Sequence, residues 1–105
     1  MDCSFCKIVK REIETKFILE TDDVVAFYDF HPLTEMHILI APRQHISSFL
    51  DIKITHKNLY FKMLSVAQKL IKDYNLEGGY RIVFNGGRFQ HIPHLHMHLL
   101  GGEEK

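Results

Sequence analysis

An excess of positive or of negative charge is missing from this chain. Lys and Arg number 13 and Asp and Glu number 13, so the formal charge is zero with histidine neutral. A general nucleic-acid binder carries a basic excess, so nucleic acid is not an expected partner, and any anionic ligand must be met by local groups. Long hydrophobic runs are missing as well. No apolar stretch approaches the roughly 20 residues of a membrane span, and no membrane association is expected. The opening Met1-Asp2-Cys3-Ser4 has no basic region leading into an apolar one, which speaks against a secretory signal. Cysteine is scarce, with two residues; in a chain without a signal that argues for a reduced, cytoplasmic setting. Repeats, low-complexity runs and linkers are absent, and 105 residues suit one small domain over residues 1–105.

What is present reads as a mixed α and β chain. Phe5 to Lys10 reads as a short helix. Phe17 to Glu20 and Val24 to Tyr28 read as strands joined by the turn Thr21-Asp22-Asp23. His31-Pro32 ends that pair, because proline lacks an amide donor and pushes its predecessor towards an extended form. His37 to Ala41 is a third strand, closed by Pro42. Lys57 to Tyr74 is the one long helix: Leu59, Met63, Ala67, Leu70 and Tyr74 recur at helical spacing, with Thr55 as its N-cap and Asn75 or Gly78 in the left-handed conformation at its end. Tyr80 to Phe84 and His94 to Leu100 complete five strands, with Gly86-Gly87 as a tight loop before the last. A helix laid across a mainly antiparallel sheet buries both apolar faces, which gives an α+β fold.

The chemistry concentrates in His94-Leu95-His96-Met97-His98. Along a strand, side chains at i, i+2 and i+4 share a face, so three imidazoles form a row while Leu95, Met97 and Leu99 turn to the core. Residues two apart advance by roughly 6.6 Å, which separates His94 and His98 by about 13 Å. One metal ion, with bonds of about 2 Å to nitrogen, can take neighbours in such a row but not all three. The middle imidazole, His96, is the best placed nucleophile: it is mostly neutral at physiological pH and attacks through one nitrogen when the other is tied down. Cys3 and Cys6 form a Cys-x-x-Cys pair, which alone is half a metal site, a redox pair or two small core residues.

Taken together, His94-Leu95-His96-Met97-His98-Leu99-Leu100, Cys3-Ser4-Phe5-Cys6-Lys7-Ile8, Asp23 to Asp29 and Met36 to Ile46 resemble the histidine triad (HIT) family of nucleotide hydrolases and transferases. Leu99-Leu100-Gly101-Gly102 resembles the branch that contains the purine nucleoside phosphoramidases. The resemblance implies a five-stranded antiparallel sheet with one long and one short helix, extended across a homodimer. It implies hydrolysis of the P–N bond of purine nucleoside 5′-phosphoramidates through a nucleotidyl-His96 intermediate, with release of a nucleoside monophosphate. His98 and His37 are then the other catalytic residues. Asp29 holds the ribose and Asn85 reaches a phosphate. Gln90 and His91 lie beside the substrate, and Phe5, Ile8, Phe27 and Phe30 line the base pocket. The resemblance also implies a structural zinc on Cys3, Cys6, His45 and His94, and no organic cofactor.

The chain departs from the family pattern before the triad. His91 stands where a serine is common, Pro93 stiffens the entry, the loop from Asn85 to Gln90 is short, and the tail after Gly102 is shorter than in several relatives. These differences bear on the leaving group. Two further readings are a hydrolase of dinucleoside polyphosphates or adenylylated intermediates, and a purine-nucleotide-binding scaffold with an idle triad. His31 and His56 are expected at the surface.

Overall fold

The computed structural model describes residues 3–104; Met1, Asp2 and Lys105, where the readings of the chain's ends also fall, lie outside the described residues. The order of elements is α1 (Ser4–Val9), β1 (Leu19–Glu20), β2 (Val24–Tyr28), β3 (Thr34–Pro42), α2 (Lys57–Asp73), β4 (Tyr80–Val83) and β5 (Met97–Glu104), with single 3-10 turns at Phe49–Asp51, Ile54–His56 and Gly87–Phe89. The strands form one antiparallel sheet in the order β1-β2-β3-β5-β4. The first hairpin is set by Thr21, whose hydroxyl accepts from the amides of Asp23 (3.2 Å) and Val24 (2.9 Å), the local bond that makes Ser and Thr turn formers.

Sheet parity sorts the core into two layers. Val24 and Ala26 of β2, Ile38 and Ile40 of β3 and Met97 and Leu99 of β5 meet Met63, Val66, Ala67, Leu70 and Ile71 of α2. The alternate residues, Val25, Phe27, Leu39 and Ala41, pack beneath Cys3, Phe5 and Ile8. Burial on both faces explains why the central strands read as nearly unbroken apolar runs. The register places Phe27 opposite Leu39 and Leu39 opposite His98, so the face that carries α1 also carries the histidines of β5.

Several boundaries differ from the sequence reading. The last strand begins at Met97, not His94, because the His94 amide turns back to the Ile92 carbonyl (2.8 Å) and the Leu95 amide bonds the Ile46 carbonyl (2.6 Å). Helix α2 is capped by His56 rather than Thr55; Thr55 lies inside the preceding 3-10 turn, where the Lys53 amide donates to His56 Nδ1 (2.9 Å). Tyr74 is exposed at the helix end, and Val66 joins Met63, Ala67, Leu70 and Ile71 in the buried stripe. Asn75, at φ 57°, takes the left-handed position while Leu76 N–H bonds the Ile71 carbonyl (2.8 Å), the arrangement that closes helices by satisfying their last carbonyls. Phe17 lies before β1, and β3 runs longer than His37 to Ala41 at both ends.

Candidate active site and metal cluster

A cavity of about 660 Å³ opens on the α1 side of the sheet, lined in part by Phe5, Ile8, Asp29, His37, His96 and His98. The pairing that brings these together is backbone register. Asp29 N–H bonds the His37 carbonyl (2.9 Å) just beyond β2, and His98 pairs with Leu39 two residues along β3. Side chains of like parity therefore converge.

Hydrogen bonds fix the imidazole tautomers, since a backbone carbonyl only accepts and a backbone amide only donates. His96 Nδ1 lies 2.7 Å from the His94 carbonyl, so Nδ1 carries the hydrogen and Nε2 keeps its lone pair. His94 Nε2 lies 2.8 Å from the Pro42 carbonyl, so there the free lone pair is on Nδ1. Leu33 N–H donates to His37 Nδ1 (3.0 Å). The His37 hydrogen is thus on Nε2, 2.9 Å from His98 Nδ1 and 3.3 Å from Asp29 Oδ2. His98 lies between two donors: its Nδ1 faces the His37 Nε2–H, and its Nε2 faces the side-chain NH2 of Asn85 at 3.3 Å. No backbone group bonds its ring, so the three backbone-anchored rings, and not His98, have their tautomers set.

All four rings are held neutral. Burial pushes His37, His94 and His96 below the ordinary imidazole value, because a low-dielectric surrounding disfavours the cation. His98 is pushed down to about 4 by burial and then by the neighbouring rings of His96 and His37. Asp29 opposes this at His37 and His98 without overcoming it.

The Cys-x-x-Cys pair meets two histidines on the far side of His94. Cys3 Sγ is 3.4 Å and Cys6 Sγ 3.5 Å from His94 Nδ1, while His45 Nδ1 lies 3.2 Å from both Cys6 Sγ and His94 Nδ1. The four ligand atoms all lie within 4.8 Å of one another. Two sulfurs and two imidazole nitrogens, one of them with its tautomer already set, are a donor set that suits tetrahedral zinc. The second ring nitrogen of His94 is tied to a carbonyl, the usual outer support of a metal-binding histidine. Without a cation the Cys6 thiol stays protonated: burial, followed by the adjacent Cys3, pushes it up to about 11. Asp29, His37 and His98 also cluster, but His37 Nε2 is committed as a donor there, so that group fits proton transfer and not a metal.

Of the residues singled out in the sequence, Phe5, Ile8, Asp29, Phe30, His37, Asn85, His91, His96 and His98 line the cavity. Phe27 lies beneath the lining, with its ring 5.4 Å from that of Phe5, edge to face. Gln90 points away from it; its amide donates to the carbonyls of Ser47 (2.7 Å) and Ile92 (2.9 Å) and braces the loop before the triad. His31 is exposed as expected but also borders the cavity. Its amide donates to Asp29 Oδ1 (2.8 Å), an Asx turn that Asp29-Phe30-His31-Pro32 makes legible. Ile13, Leu33 and Phe89 line the cavity too; as isolated exposed apolar residues they carry no sequence signal. His56 stays in the turn before α2.

The HIT domain family matches residues 10–105. Among known proteins, the purine nucleoside phosphoramidase of Escherichia coli K12 is 39% identical over 101 residues, covering 93% of this chain and 85% of the relative. An uncharacterised HIT-like protein of Buchnera aphidicola is 36% identical over 103 residues, covering 95% and 92%. Among solved structures, a HIT family hydrolase from Legionella pneumophila superposes with a TM-score of 0.92 at 38% identity, covering 98% of this chain and 95% of the other. A histidine triad protein from Clostridium difficile gives 0.92 at 35% identity, covering 100% and 94%. With its fold, its triad and these likenesses in agreement, the chain belongs to the HIT family.

Proposed function

We propose that this protein hydrolyses the P–N bond of purine nucleoside 5′-phosphoramidates, and that the 105 residues act as a single HIT domain in the cytoplasm. The observation that carries the reading is the state of His96. Its Nδ1 donates to the His94 carbonyl at 2.7 Å, the ring borders the cavity, and Nε2 retains a lone pair on a neutral ring, the condition for attack on phosphorus. The name of the 39% identical relative points to the same substrate class.

In this reading the base packs against Phe5 and Ile8, with Phe30 at the mouth, and Asp29 accepts from the ribose hydroxyls. His96 Nε2 attacks the α-phosphorus. The P–N bond to the amine breaks, and the amine leaves with a proton from His91 on the exposed rim. His98, oriented through His37, and the side-chain NH2 of Asn85 hold the phosphoryl oxygens, where charge grows in the transition state. Water then attacks phosphorus and gives a proton back to His91, the bond to Nε2 breaks, and the nucleoside monophosphate departs. Cys3, Cys6, His45 and His94 would hold a structural zinc ion, which contributes folding energy by tying α1 to the sheet. The active unit is a homodimer, with the exposed edge strand β4 available for pairing (Tyr80 50% and Ile82 39% exposed).

Turnover of an adenosine phosphoramidate measured beside turnover of a diadenosine polyphosphate tests the substrate class. Faster hydrolysis of the phosphoramidate is expected. Preference for the polyphosphate would replace this reading with that of a dinucleoside polyphosphate hydrolase, and nucleotide binding without turnover of either would make the triad a binding platform.

A further inference from the structure

The ring of His94 is shared between two centres that would otherwise be independent. Its Nδ1 faces the sulfurs of Cys3 and Cys6 and the Nδ1 of His45, at 3.2–3.5 Å. Its Nε2–H holds the Pro42 carbonyl at the end of β3 (2.8 Å). The same residue's carbonyl accepts the His96 Nδ1 hydrogen at 2.7 Å and so selects the nucleophilic tautomer. The peptide that carries this carbonyl is anchored from its other side, Leu95 N–H to the Ile46 carbonyl (2.6 Å), one residue from His45. Phe5, between the two cysteines, sets its ring edge-on to both His94 (5.9 Å) and His96 (4.9 Å).

These residues precede β5, which begins at Met97. No regular sheet ladder therefore fixes the peptide whose carbonyl orients His96. It is held by the Leu95 N–H bond to the Ile46 carbonyl, next in the chain to His45, and by the His94 ring, which is fully buried among the four-residue cluster and the end of β3; both supports run through residues of the cluster or beside them. We propose that the Cys3/Cys6/His45/His94 cluster is a positioning centre for catalysis: occupied by a divalent cation, it holds the His94 carbonyl where His96 Nδ1–H must donate, and so keeps Nε2 in its attacking form. The cysteines and His45 are then positioning residues that touch no substrate. Coupling of this kind is reciprocal, so a nucleotide at His96 must also be felt at the cluster. The inference rests on the phosphoramidase reading only for its kinetic arm.

The test compares chelator-stripped protein with the same protein reloaded with Zn²⁺, with folding checked by circular dichroism. Nitrogen-15 NMR of the imidazoles reports the His96 tautomer directly. The loaded protein is expected to show a single Nδ1–H form, and the stripped, folded protein an exchange-averaged mixture with kcat at least tenfold lower and KM changed less; Zn²⁺ restores both. An unchanged His96 tautomer in stripped, folded protein overturns the proposal. If stripping unfolds the chain, Co²⁺ replaces Zn²⁺: its visible bands are expected to shift on saturation with adenosine monophosphate, and to stay unshifted in His96→Ala carrying the same nucleotide. Unshifted bands in the nucleotide-saturated wild type, or no cobalt–thiolate absorption at all, overturn it. Failure to hydrolyse phosphoramidates while the tautomer still follows the metal would refute the substrate reading and leave the coupling standing.

Discussion

At the scale of single residues, the chemistry turns on which nitrogen of each histidine carries hydrogen. His96→Ala is expected to bind adenosine monophosphate with near-normal affinity in calorimetry while kcat falls by about a thousandfold or more, since removal of a nucleophile abolishes the covalent route. Loss of binding with kcat preserved would contradict its role. His98 makes a second prediction, in pH. It is neutral in the fold with its pKa lowered to about 4, whereas unfolded histidine titrates near 6.5. Between those values the unfolded chain binds more protons, so stability is full above about pH 6.5 and falls as pH drops towards 4. Denaturant midpoints measured from pH 7.5 to 4 should decline, and His98→Gln should decline less steeply; equal slopes would contradict the buried neutral ring. The triad was legible in the sequence because period-two spacing is a geometric statement. The tautomers were not, because they depend on the carbonyls of His94 and Pro42 and the amide of Leu33, partners that only the folded backbone supplies.

At the scale of elements, parity and register do the positioning. Helix α2 contributes packing and no chemistry. Met63 is fully buried against the sheet face opposite the cavity, so Met63→Ala is expected to cost about 2–5 kcal/mol in urea unfolding with kcat of the folded protein unchanged. A large fall in kcat without loss of stability would mean that the helix takes part in the site. The α2 stripe and the strands β2 and β4 were readable from periodicity to within a residue or two at their ends. The last strand was not: Met97, Leu99 and the two histidines beside Met97 follow the alternation, but His94 is drawn out of it by its own ring contacts and the turn at Ile92. Sequence alternation reports which side chains face the core, and Leu95 does face it. It does not report where the ladder of backbone bonds begins.

At the scale of the whole molecule, the sheet is covered on both faces but open at β4, an edge with exposed Tyr80 and Ile82. An uncovered edge invites pairing. In the homodimer proposed above, Ile82→Lys is expected to move the sedimentation coefficient from that of a dimer to that of a monomer; a wild-type monomer at micromolar concentration would contradict it. The two remote ends of the chain are joined at one place, since Cys3 and Cys6 at the start meet His94 near the finish. Pairing of the Cys-x-x-Cys with those particular histidines came from family resemblance, because spacing alone left metal, redox and packing roles open. The claim on which the rest depends is the bond between phosphorus and His96. Rapid mixing with an adenosine phosphoramidate, a quench in base to preserve a phosphorus–nitrogen linkage, and peptide mapping by mass spectrometry tests it most directly. The account predicts a nucleotidyl adduct on the peptide that contains His96, placed on that ring by fragmentation and absent from His96→Ala; an adduct on any other side chain, or turnover with no adduct at all, would contradict it.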